Sequence, residues 1–317
     1  MLGSESELRG RLIRADKSFK PPAALIKLQR LLSASRAAAS LLSIITMVLH
    51  LLCLLMLLHS TEGAAARSSI IGGSDAEVGA WPWMVHINIT HNRTTKWRCG
   101  GTILNEEWVM TAAHCLDRQL KVDEQQSFVA VGKHDLQKGW GGYKDIKTFV
   151  LHPSYNGVSN SHDYDLALIN LKRKLNFNPN VSAISLPKAS DIFNETSDCW
   201  ITGWGQIGNG VPLPPPETLQ QLKIPLVPHS ICKKTYPHLT SNMLCAGAEG
   251  KDGCEGDDGG PLVCKTPSGL VQVGIMSSRS PGGCGLPGQP GIYTQVSGFV
   301  DYIQRRINHT KEGSAEA

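Results

Sequence analysis

From Trp83 onward the chain alternates short apolar runs with turn residues. WMVHINI (83–89), FVAVGKHD (128–135), LALINL (166–171), DCWITGWG (198–205), LKIPLV (222–227), GPLVC (260–264), LVQVGIMS (270–277) and GIYTQVS (291–297) are rich in β-branched and aromatic residues. Gly, Pro, Asn or Asp bound them, which predicts many short strands. Helical periodicity shows only at the end, where Phe299, Ile303 and Ile307 recur at i, i+4, i+8. The pattern predicts an all-β fold with one C-terminal helix. The Pro-rich stretch GNGVPLPPPET (208–218) reads as an exposed loop. The polar sequence beyond Asn308 reads as a frayed end.

A different pattern precedes this region. LLSIITMVLHLLCLLMLL (41–58) is apolar but for its Ser, Thr and His, follows a basic stretch and leads into HSTEGAAARSS. A basic flank, an apolar run and an Ala-rich exit match a signal peptide. At its length the run also fits an uncleaved anchor, the alternative reading. Met47 opens a compact signal peptide by itself, so residues 1–46 are read as a basic segment outside it, or as an alternative start. The expected location is secreted, with a single-pass membrane protein as the alternative.

Composition alters this picture in two ways. The 317 residues carry a net charge of +4, but the excess lies upstream. Residues 1–69 hold 9 basic and 4 acidic side chains, and the remainder 22 and 23. The near-neutral domain gives no support to a nucleic-acid partner. Cys99, Cys115, Cys199, Cys232, Cys245, Cys254, Cys264 and Cys284 form an even set outside the apolar run, which also contains Cys53. An even set behind a targeting segment points to disulfides, and no CxxC pair argues for zinc. Five sequons, at Asn88, Asn92, Asn180, Asn194 and Asn308, add weight to a secretory route.

The chemistry-bearing motifs are TAAHC with His114, DYDLALINL with Asp165, and CEGDDGGPLVC with Asp258. With IIGG (70–73), CGGTIL and GWG, in this order, they resemble the chymotrypsin/trypsin (S1) family of serine proteases over roughly residues 70–309. The resemblance implies two six-stranded antiparallel barrels with the site between them. Together with the targeting reading above, it divides the chain into residues 1–46, a signal peptide or anchor at 47–66, a pro-segment at 67–69, the protease domain at 70–309 and a tail at 310–317. It also implies the pairs Cys99–Cys115, Cys199–Cys264, Cys232–Cys245 and Cys254–Cys284. In such enzymes a serine hydroxyl attacks the peptide carbonyl, a histidine takes its proton, and an aspartate fixes the histidine's tautomer. The oxyanion donors would be the amides of Gly256 and Asp258.

Here the nucleophile position holds Asp258. A carboxylate attacks an amide poorly, and the product would be an anhydride. Its charge would also oppose the developing oxyanion, by about 4 kcal/mol at 4 Å and an effective dielectric of 20. No Ser codon reaches an Asp codon by one base change. Losing the nucleophile costs about a millionfold in turnover in the subtilisin case. The expected partner of Asp258 is His114, in a salt bridge that favours the imidazolium.

Two further departures accompany the first. The family is activated by cutting after a basic residue directly before the Ile, whose ammonium then pairs with an aspartate, here Ile70 and Asp257. In this chain Ser69 precedes Ile70, and Arg67 lies two residues early. Around the substrate pocket the resemblance sets Asp252 at the floor, with Ser278, Arg279 and Gly291 on the walls. Asp252 matches the aspartate that selects Lys/Arg substrates. Arg279 stands where trypsin-like members carry glycine, and is expected to fold inward onto Asp252. KHDLQKGWGG (133–142) lacks the family's paired calcium-binding glutamates, so no metal and no cofactor is expected. Two readings stay open. One is a catalytically inactive homologue working through an unidentified protein or peptide ligand. The other is a working endopeptidase cutting after Lys/Arg. Membrane contact follows only if residues 41–58 remain an anchor.

Overall fold

The computed structural model describes residue 27, residues 46–51 and residues 70–313, except 92–93, 118–120 and 158–161. The expectations for residues 1–46, for the apolar run past residue 51, for the pro-segment and for Asn92 therefore lie almost wholly outside it. Residues 46–51 are helical and exposed. Among the described residues no helix is long and apolar enough to cross a membrane. Contacts divide the chain into one unit at 1–65 and another at 66–317.

The second unit is built from two β structures. Strand β1 (Ser74–Asp75) belongs to the later one. Strands β2 (Met84–His91), β3 (Thr95–Ile103), β4 (Trp108–Thr111), β5 (Phe128–Val131), β6 (Gly142–Leu151) and β7 (Ala167–Leu171) close an antiparallel barrel in the order β2-β3-β4-β7-β6-β5. Closure leaves no strand edge to template aggregation. Its interior holds Val85, Ile87, Ile103, Val109, Val129 and Ile169, each fully or almost fully buried.

Strands β8 (Cys199–Gly203), β9 (Gln220–Lys223), β10 (Leu226–Val227), β11 (Met243–Ala246), β12 (Pro261–Thr266), β13 (Gly269–Ser278) and β14 (Gly291–Gln295) join β1 in an eight-stranded sheet, ordered β1-β9-β8-β12-β13-β14-β11-β10. The expectation of a second closed six-stranded barrel is thus met by an open, half-barrel sheet. Its hydrogen bonding ends at the short strands β1 and β10. All four expected disulfides are formed. Cys199 and Cys264 face each other across the β8–β12 register.

Helix α1 (His229–Thr235) is a second helix that the pattern did not reveal; at seven residues it is too short to show a period. Helix α2 (Val300–Gly313) is the expected C-terminal one and runs past the expected tail boundary at residue 310. Its Ile303, with the preceding Phe299, packs into the first barrel's core although the helix leaves from the sheet. The 208–218 loop is only partly exposed: Leu213 and Glu217 are buried. Arg98 donates to both carboxylate oxygens of Glu217 at 3.0 and 3.1 Å, and the amide of Leu136 donates to its carbonyl at 3.1 Å.

Candidate active-site cleft

The first barrel supplies the acid and the base. A single 3₁₀ turn (His114–Leu116) leaves β4, and Cys115 ties it to Cys99 on β3. Asp165 lies just before β7 and is fully buried. Its Oδ2 is 2.7 Å from His114 Nδ1, and its Oδ1 accepts from the His114 amide at 2.8 Å. Ser277 Oγ donates to Asp165 Oδ2 at 2.5 Å, and Thr294 Oγ1 donates to the Asp165 carbonyl at 2.9 Å. Neither residue emerged from the sequence; only the β13 and β14 registers bring their hydroxyls to Asp165. Burial alone would lower the His114 pKa, but the Asp165 carboxylate, aided by Asp258 and opposed by Arg279, raises it to about 9. Burial works against ionised Asp165, yet His114 and the hydrogen bonds hold its pKa below the usual carboxylate value.

The sheet supplies the loop that should carry the nucleophile. Its backbone is firmly placed. The Asp258 carbonyl accepts from the Gly100 amide at 2.7 Å, Gly259 N–H donates to Met276 O at 2.8 Å, and Gly260 N–H to Asp257 O at 2.9 Å. Gly259 has φ +78°, and a Cβ there would lie 2.1 Å from Thr111 Oγ1, so both conformation and space require glycine. Among the described residues the amides of Gly256 and Asp258, the expected oxyanion donors, hydrogen-bond to no protein acceptor.

Asp258 does not pair with His114 as expected. Arg279 NH1 donates to Asp258 Oδ1 at 2.6 Å and NH2 to Oδ2 at 2.9 Å, a two-pronged ion pair. The planar guanidinium presents two parallel N–H donors to the two carboxylate oxygens, which an imidazole cannot do. The expected Arg279–Asp252 pair is likewise not formed. Asp252, 2% exposed, accepts from the Gly285 amide at 3.0 Å, so its floor position is already satisfied by backbone. Burial raises its pKa to about 6, partly offset by backbone amides and by Arg279. A Cβ on Gly291 would lie 2.8 Å from Asp252 Oδ1, which puts Gly291 on the wall against the floor carboxylate. Ser278 is the last residue of β13, opposite Ile292, and Arg279 follows it. The Cys254–Cys284 disulfide closes the loops bearing Asp258 and Arg279.

Ile70 is fully buried, with its amide donating to Gln206 O at 3.2 Å. Ile71 exchanges backbone hydrogen bonds with Asp252. In the continuous chain the Ile70 nitrogen is an amide, and the expected ion pair with Asp257 requires a cut before it. Asp257 instead accepts from the amides of Gly205 at 2.7 Å and Cys254 at 3.0 Å. Burial raises its pKa to about 7 despite these bonds.

A groove of about 770 Å³ runs past these groups, lined by His114, Gly256 and Asp258 and continuing to Trp97, Arg98 and Glu217. Its chemistry is incomplete. His114 Nε2 lies 3.8 Å from Cys115 Sγ, already in a disulfide. Among the described residues no hydroxyl hydrogen-bonds Nε2, so the base has no alcohol to deprotonate.

The titrating groups give a stability prediction. His114 is raised from about 6.5 to about 9, so its contribution is complete below about 6.5 and is lost as pH rises through 9. Asp252 and Asp257 are raised to about 6 and about 7 by burial. Their folded-state preference for the proton is present below about 3.9 and lost as pH rises through 6 and 7. All three act in one direction. The uncut chain should melt about 5–10 °C lower at pH 9.5 than at pH 5.5, equivalent to a few kcal/mol. A flat or rising melting temperature by scanning fluorimetry would refute this assignment.

Closed barrel, half-barrel sheet, C-terminal helix and a His–Asp pair at their junction define the architecture of a chymotrypsin-like serine protease. Comparison with known proteins agrees. The Trypsin family model matches residues 70–303. Tryptase of Mus musculus is 36% identical over 278 residues, covering 82% of this chain and 97% of that protein. Serine protease 28 of Mus musculus is 36% identical over 276 residues, covering 82% and 98%. The chain belongs to the trypsin family, and its four disulfides fit an extracellular protein.

Proposed function

We propose that this chain is a secreted trypsin-family homologue that has lost catalysis and acts by binding a protein or peptide. The observation carrying the reading is the Arg279–Asp258 ion pair, which puts two charges where attack would begin. Asp258 offers no hydroxyl, and its carboxylate is engaged by a guanidinium across the pocket mouth. His114, with its pKa raised to about 9, is mostly protonated at neutral pH and unable to act as a base. The open groove bearing Trp97, Arg98 and Glu217 keeps a surface on which an extended peptide could lie. Targeting segment, disulfides and sequons support the secretory route. Exposed Asn180 and Asn194 suit glycans, and the Asn194 side chain is turned onto Thr196 as in an Asx turn.

The competing reading, an endopeptidase cutting after Lys/Arg, rests on the intact His114–Asp165 pair and retained Asp252. Arginine anilide substrates separate the two. The chain, cut before Ile70, should turn over no faster than its His114→Ala variant; His114-dependent hydrolysis would establish the endopeptidase.

A further inference from the structure

We propose that His114 and His162, beside the Asp165 carboxylate, form a binding site for a divalent transition-metal ion of the zinc class. No spacing in the chain signals it, because 48 positions separate the two histidines and neither lies in a metal-spacing motif. The fold brings their rings to 5.9 Å, centroid to centroid, at 77°. One nitrogen of each ring and one Asp165 oxygen lie within 4.8 Å of one another. Zinc sits about 2.0–2.1 Å from imidazole nitrogen, so a modest turn of the half-buried His162 ring closes the gap.

Four features favour an ion here. Asp165 holds His114 Nδ1 at 2.7 Å, which directs Nε2 away from Asp165, where a metal ion takes the place of the proton that this nitrogen carries at neutral pH. A carboxylate behind a ligating histidine is the usual supporting arrangement at zinc sites. In a working family member the nucleophile's hydroxyl would compete for Nε2; here no described hydroxyl does. The Asp165 carboxylate, with an oxygen within 4.8 Å of a nitrogen of each ring, sets a negative charge beside a cation held there, while Asp258 and Arg279 offset each other. His114 also lines the open groove, which provides an entry path. Two imidazoles with a carboxylate nearby select zinc-class ions over calcium or magnesium. The sulfurs of Cys99 and Cys115, though close, are joined in a disulfide and offer no thiolate.

The test is calorimetric titration of the untagged secreted chain with zinc chloride at pH 8, repeated with cobalt(II) and its visible absorption. One site per chain is expected. His162→Ala and the milder His162→Gln should each weaken binding at least about tenfold. His229→Ala, at an exposed histidine on α1, should leave it unchanged. Folding of each variant is checked by its melting temperature without metal. No heat with wild-type chain at about 100 µM zinc, far above the range of a specific imidazole site, would overturn the proposal. So would equal binding by folded His162→Gln and wild type.

Discussion

Asp258→Ser alone should leave the chain nearly inert, whereas Asp258→Ser with Arg279→Gly, cut before Ile70, should cleave arginine amides at least about a thousandfold faster than the wild type. The single change restores the alcohol but strands Arg279. Deprived of Asp258, the guanidinium is left with buried Asp252 and Asp257, on both of which it already acts electrostatically. A cation there fills the place a substrate Lys or Arg would need. The double change empties the pocket, and it takes from His114 both the charge of Asp258, which raises its pKa, and that of Arg279, which opposes the rise. The rest of the machinery is in position: the Asp165–His114 pair, the loop backbone and the Gly291 wall over Asp252. If Asp258→Ser alone matched the double variant, Arg279 would be no obstacle and the plugged-pocket account would fail.

Breaking the ion pair from one side should cost about 2–3 kcal/mol, below the 3–5 seen for fully buried pairs because these side chains are 14% and 23% exposed. That corresponds to a drop of about 5–10 °C in melting temperature. Arg279→Ala should be the harsher change. It leaves Asp258 beside Asp257 and Asp252 without the cation that acts on all three carboxylates. Asp258→Ser/Arg279→Gly should destabilise less than the sum of its parts, because neither charge is then left alone. Single effects that add to within about 0.5 kcal/mol in the double variant would show that the pair is not energetically coupled.

The sequence carried the strands with continuous apolar runs, because buried strands must be apolar whatever their neighbours. It did not reveal β6, GYKDIKTFVL, whose one deeply buried side chain is Ile146. On a barrel wall open to water the polar positions outnumber the signal. His114, Asp165 and Asp258 were legible because motifs fix them locally. Their partners were not. Arg279 stood out as a misplaced cation, but its choice of Asp258 over Asp252 depends on Asp252 being bonded by a backbone amide, a fact of the folded loop. Ser277, Thr294 and His162 reach the site through strand register and loop placement, which no spacing in the chain encodes. The Glu217–Arg98 pair, drawing a Pro-rich segment onto the groove, was hidden for the same reason.

The most direct test is labelling by a fluorophosphonate, which bonds to an activated alcohol, on wild-type chain cut before Ile70, beside the Asp258→Ser/Arg279→Gly variant. The account predicts no label on the wild type and His114-dependent label at position 258 of the variant. Stoichiometric, His114-dependent labelling of the wild-type chain would contradict it.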